Sequence, residues 1–112
     1  MAKVIVTKRL EDEINKKFKK ESIEIFSLMY SLKEFPFKGK IVGQVGGILI
    51  KELKYDSFRF YFITDGYKIN LLEKGELVDI LMKFVRMSDK NNQQKIIDEI
   101  KSILRNFGQE SL

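Results

Sequence analysis

Apolar positions change their period twice along the chain. Residues 3–7 (KVIVT) are a short β-branched run that predicts a first strand, with Thr7 placed to cap a helix behind it. From Lys8 the spacing turns helical: Leu10, Ile14 and Phe18 recur every four residues. Acids come early (Glu11, Asp12, Glu13) and bases late (Lys16, Lys17, Lys19, Lys20), which complements the helix dipole, and the lysines read as a solvated helix end. Ile25, Phe26, Leu28, Met29 and Leu32 predict a second helix over residues 22–34, stopped by Pro36. The two helices read as an antiparallel hairpin turning at residues 20–22, with Met29 and Tyr30 as core filler.

Alternation replaces this pattern in residues 48–72 (ILIKELKYDSFRFYFITDGYKINLL), which read as two or three strands folded through tight turns. Asp56 and Ser57 make one turn, Asp65–Gly66 is a hairpin signal, and Lys74–Gly75 supplies a third turn. Over residues 58–64, Phe58, Phe60 and Phe62 point to one face while Arg59, Tyr61 and Ile63 point to the other. Residues 77–87 (LVDILMKFVRM) fit either period; their largely apolar character favours a central strand. That strand puts Val78, Ile80, Met82, Phe84 and Arg86 on one face and Asp79 and Lys83 on the other. The clearest helix is 93–107, striped by Ile96, Ile97, Ile100, Ile103, Leu104 and Phe107 and followed by Gly108 as its cap. Its stripe is the natural cover for the three phenylalanines. The pattern therefore predicts one α+β domain over residues 1–112. Its antiparallel sheet has four to five strands, with an N-terminal helix hairpin and a C-terminal helix on one face. The other face is left to solvent or a ligand.

Composition narrows the chemistry. A chain of 112 residues without cysteine has no disulfide framework, zinc–thiolate site or thiol nucleophile. The absence of histidine removes the commonest general base and metal ligand, leaving carboxylate, lysine, tyrosine and arginine. Twenty-one Lys+Arg against sixteen Asp+Glu give a net charge of +5, a balance that favours polyanionic partners and, with much Lys, Glu and Ile, is thermophile-like. The apolar start is too short for a signal segment and no run approaches a membrane span, so a cytoplasmic protein with no membrane contact is expected. Residues 37–47 (FKGKIVGQVGG) are the loosest stretch, with four glycines marking turns or close backbone approaches. They lack the GxxxxGK[ST] spacing, and no helix follows, which excludes a P-loop.

Setting the strands side by side gathers Lys51, Lys54, Arg59, Lys83, Arg86 and Lys90, with Lys38 and Lys40 beside the first loop glycine. Arginine forks and lysine ammonium groups are the donors phosphate recognition needs, and Tyr55 or Tyr61 could stack on unpaired bases. Taken singly, each reads better as a solvated surface charge or as the partner of Glu52, Asp56 or Asp79; taken as a set on one sheet, binding stands level with that reading.

Two segments, LKEFPFKGKIVGQVGGILIKELKYDSFRFYFITDG and LMKFVRMSDKNNQQKIIDEIKSIL, resemble the RelE/HigB-like toxin family, in its phage-derived branch, as a divergent member. Phe58, Arg59, Phe60 and Tyr61 match the family's aromatic–Arg–aromatic–aromatic strand, and the ten residues from Leu81 to Lys90 are similar to its basic segment before the last helix. The resemblance implies an mRNA interferase that needs neither metal nor cofactor. In it the substrate 2′-hydroxyl attacks the adjacent phosphate, on free or ribosome-bound mRNA, and a cognate antitoxin protein restrains the toxin. It implies Arg59, Lys83, Arg86 and Glu52 as catalytic residues; Lys51, Lys54, Tyr61, Lys38, Lys40 and Lys90 are the RNA-binding candidates beside them. The last helix and tail lack the tyrosine that RelE carries near its C-terminus. The alternatives are a non-catalytic nucleic-acid- or protein-binding module on the same scaffold, and a self-associating scaffold protein.

Overall fold

Five strands and four α-helices follow one another in a computed structural model that describes residues 1–112. Strand β1 is Ala2–Val6, and Thr7 caps α1 (Lys8–Phe18) by accepting a hydrogen bond from the Leu10 amide at 3.3 Å. After a short turn, α2 (Ser22–Tyr30) ends in a single tight turn over Ser31–Lys33 that Glu34 closes. Strands β2 (Lys40–Val45), β3 (Ile48–Tyr55) and β4 (Phe58–Asp65) form an antiparallel meander. Helix α3 (Gly66–Glu73), strand β5 (Ile80–Ser88) and α4 (Gln93–Phe107) complete the chain. The strand order is β1-β5-β4-β3-β2. No helix is long and apolar enough to cross a membrane.

Four expectations are corrected. The sheet is mixed rather than wholly antiparallel, because β1 runs parallel to β5 from Ala2 opposite Ile80 to Val6 opposite Phe84. The glycine-rich stretch is an edge strand and not a loop, turned into β3 at Gly46 (φ +58°) and Gly47. Asp65–Gly66 makes no hairpin: the Asp65 carboxylate accepts from the amides of Tyr67 and Lys68 and starts α3. Gly66 sits there because its amide donates to the Gly47 carbonyl at 2.8 Å, and a Cβ would stand 3.1 Å from that same oxygen.

The fourth correction concerns the layers. The phenylalanine face is covered by α1, α2 and α3, whose Leu10, Ile14, Ile25, Met29 and Ile69 bury Phe60, Phe62 and Phe84. Helix α4 lies on the opposite face, where Ile97, Ile100 and Leu104 cover Ile50, Tyr61, Ile63 and Val85. Helices α1, α2 and α3 already cover the phenylalanine face, so the apolar stripe of α4 needs the other side of the sheet. The face expected to be open is therefore mostly roofed.

One further detail decides the site. Opposite β4 the pairing jumps from Arg86 (against Tyr61) to Phe84 (against Phe62), so Val85 is an extra residue in a β-bulge. Strict alternation puts Arg86 with Phe84 in the apolar core. The bulge turns it to the α4 side, beside Tyr61.

Candidate nucleic-acid interface

Register places two polar rows across the α4 face of the sheet. The first is Lys40, Glu52, Tyr61 and Arg86, on β2, β3, β4 and β5 in turn. The second is Lys54, Arg59 and Ser88, on β3, β4 and β5. Neighbouring strands stand about 4.8 Å apart, so side chains within a row are within mutual reach. The second row lies towards the start of α4.

The first row runs from an open edge to a closed interior. Tyr61 is fully buried and its phenol shares a hydrogen bond with the Ser88 hydroxyl at 2.8 Å. Burial, ahead of the nearby Glu52 charge, pushes that phenol above its ordinary value, while Ser88 and Arg59 pull the other way. Arg86 is 5% exposed; it donates to the Val85 carbonyl at 2.7 Å and lies 3.6 Å from Glu99 of α4. One Glu52 carboxylate oxygen, Oε2, is buried and accepts no hydrogen bond.

At the start of β2 the sheet edge opens into a groove of about 440 Å³ lined by Lys38, Gly39, Lys40, Glu52, Lys54, Arg59 and Gln93, with Leu28 and Leu53 on its apolar side. The groove exists because β2 begins at Lys40 opposite Glu52, leaving the outer edge of β3 unpaired from Leu53 onward. Gly39 shapes the entry: its φ is +102°, and a Cβ would meet the Glu52 carbonyl and the Phe62 ring at 3.1 Å. Four cations and a single acid line this space. Arg59 is only 8% exposed, its one side-chain hydrogen bond is a 3.5 Å contact to the Phe58 carbonyl, and no carboxylate lies within ion-pair distance of it. A guanidinium so enclosed and so weakly partnered is arranged for an anion from outside.

The expected site residues thus divide. Arg59, Glu52, Lys54, Lys38 and Lys40 converge on the groove. Arg86 shares their face but is tied down under α4. Tyr61 is sealed beneath the same helix and offers no stacking surface. Lys83 lies at the far end of the sheet opposite Ile63, donates to the Gln109 carbonyl at 3.2 Å, and does not meet Arg59. Lys90 is exposed in the turn before α4, outside the groove. Gln93 and Ser88 belong to the site without having been expected there, because only the bulge and the docking of α4 bring them in. Nowhere do three or more acidic side chains cluster to hold a metal ion.

Lys51 is the clearest displacement. It points to the phenylalanine face opposite Phe62, is 4% exposed, donates to the Phe37 carbonyl at 3.3 Å and holds its ammonium 5.7 Å from the Phe62 ring. Burial pulls its pKa below the ordinary 10.5, with Glu73 opposing. A lysine depressed in the fold costs stability wherever it is charged, and that cost disappears as pH rises from the depressed value towards 10.5. Lys51→Met is therefore expected to raise the melting temperature at neutral pH, by a margin that narrows on approaching pH 10.5. Thermal melts across alkaline pH check this; a margin independent of pH would refute the assignment.

No protein-family model matches the chain, and no curated protein or solved structure matches it significantly.

Proposed function

We propose that the chain is a metal-independent endoribonuclease of the toxin type, cutting single-stranded RNA at the groove of Arg59, Lys54, Lys38 and Lys40 around Glu52. One observation carries this reading: a nearly enclosed arginine without an acid partner lines the same groove as the Glu52 carboxylate. Glu52 takes the proton of a ribose 2′-hydroxyl as that oxygen bonds to the adjacent phosphorus. The bond from phosphorus to the 5′-oxygen breaks, a groove ammonium protonates the leaving oxygen, and a 2′,3′-cyclic phosphate remains. Arg59 and Lys54 stabilise the charge that builds on the phosphoryl oxygens. The order of strand, helix pair, strands and terminal helix, with the resemblance through Phe58–Arg59–Phe60–Tyr61, supports a RelE-like scaffold. A cognate antitoxin would act by covering this groove.

The binding-only reading has its own support. Arg86 is bound to Glu99, and the Tyr61 phenol is occupied by Ser88, so Glu52 is the one acid left in the groove for proton transfer. A short RNA and its counterpart with one 2′-deoxyribose separate the two. Cleavage of the first, protection of the second, and a loss of about 10²–10⁴-fold in Glu52→Gln with binding retained are the expected results. Tight binding of both oligonucleotides with neither cut establishes the binding module instead.

A further inference from the structure

The groove is one of two hollows at the same end of the sheet. Strand β1 stops at Val6 opposite Phe84, so the outer edge of β5 is unpaired beyond it, just as the edge of β3 is unpaired where β2 has not begun. The second hollow, of about 430 Å³, fills that gap between α1 and α4. Phe58, Met87 and Ile96 give it apolar walls, Ser88 and Asn92 give it hydrogen-bonding groups, and Lys16 and Lys17 stand on its rim with the carboxylates of Glu13 and Asp89. Its size falls in the usual range of about 300–1,000 Å³ for small-molecule pockets.

The two hollows meet across the second polar row. Lys54 and Arg59 belong to the groove, Ser88 belongs to the second hollow, and Arg59 pairs directly with Ser88. Gln93 lines one hollow and its neighbour Asn92 the other, so the path bends around the first turn of α4. Asn92 provides no side-chain cap to that helix; its side-chain amide nitrogen donates to the Asp89 carboxylate at 3.4 Å. The Lys17 ammonium sits 5.1 Å above the Phe58 ring, whose face is therefore reachable from outside.

Resting on the RNA reading of the groove, we infer that this hollow is a nucleobase subsite for the residue flanking the cleaved phosphate. The unpaired base lies against Phe58 and Met87, displacing the Lys17 ammonium, and Asn92 and Ser88 meet its polar edge. Lys16 and Lys17 then hold the next phosphate, a role distinct from that of a solvated helix end. The strand thus crosses the end of the sheet along Lys54, Arg59 and Ser88.

Fluorescence anisotropy with a 2′-O-methyl, hence uncleavable, single-stranded RNA tests this, with abasic sites moved one position at a time. One abasic position is expected to weaken wild-type binding about tenfold, and Phe58→Leu is expected to abolish that sensitivity. The double variant Lys16→Gln/Lys17→Gln, altered only at exposed side chains, is expected to lose about tenfold at low salt and to flatten the salt dependence. A flat abasic scan, with the double variant binding as wild type while Arg59→Ala loses affinity, overturns the subsite and leaves the groove intact. Wild-type binding by both Arg59→Ala and Lys54→Ala overturns the groove and the subsite together.

Discussion

On the proposed nuclease reading, Arg59→Ala is expected to cut RNA at least 10²–10³-fold more slowly than the parent chain and to abolish growth arrest on induction. The side chain is almost enclosed and has no acid within ion-pair distance, so removal strips the groove of its best-held positive charge without stranding a carboxylate partner. Lys54, Lys38 and Lys40 remain as point charges, but none offers a planar fork to a phosphoryl group. Arg59→Lys should recover part of the affinity and less of the rate. The measurement is a single-turnover cleavage time course on equal amounts of folded protein, checked by circular dichroism. A variant that cuts and arrests growth like the parent would remove the groove from the mechanism.

The largest stability effect belongs to Phe62→Ala, expected to cost about 3–5 kcal/mol and to lower the melting temperature by roughly 10–25 °C. Phe62 is fully buried, and its ring centre lies 4.8 Å from that of Phe84 at 45°. The same ring supports the buried Lys51 ammonium and fills the space beside Gly39. Truncation therefore opens a cavity and also loosens the strand entry that presents Lys38 and Lys40 to the groove. Phe62→Leu keeps most of the volume and should cost far less. Denaturant unfolding of the two variants decides it; equal, small losses would mean the core collapses around the gap.

The strands and helices whose own side chains set a single period were legible. Leu10, Ile14 and Phe18 fix α1, Ile96 through Leu104 fix α4, and the alternation of Phe58 to Ile63 survives intact in β4. What failed depends on partners distant in sequence. Asp65–Gly66 carries the chemistry of both a hairpin and a helix cap, and only the Gly47 carbonyl waiting for the Gly66 amide favours the second. Both helix layers offer apolar stripes, so neither reveals which side of the sheet it takes. Within the site, Arg59 with Lys54 could be read from adjacent strands, but Arg86 could not. Its facing depends on Val85, and nothing in LMKFVRMS marks where the ladder slips.

That slip uncouples the two halves of β5. Before Val85, the alternate residues Ile80, Met82 and Phe84 are keyed to the oily interior beneath the N-terminal helices; after it, the count begins anew for the charged end. Substitutions in the interior half therefore leave the cationic half in place, and deletion of this one valine would close the ladder with Phe84 still against Phe62 and Arg86 still against Tyr61, at the cost of one apolar side chain beneath α4.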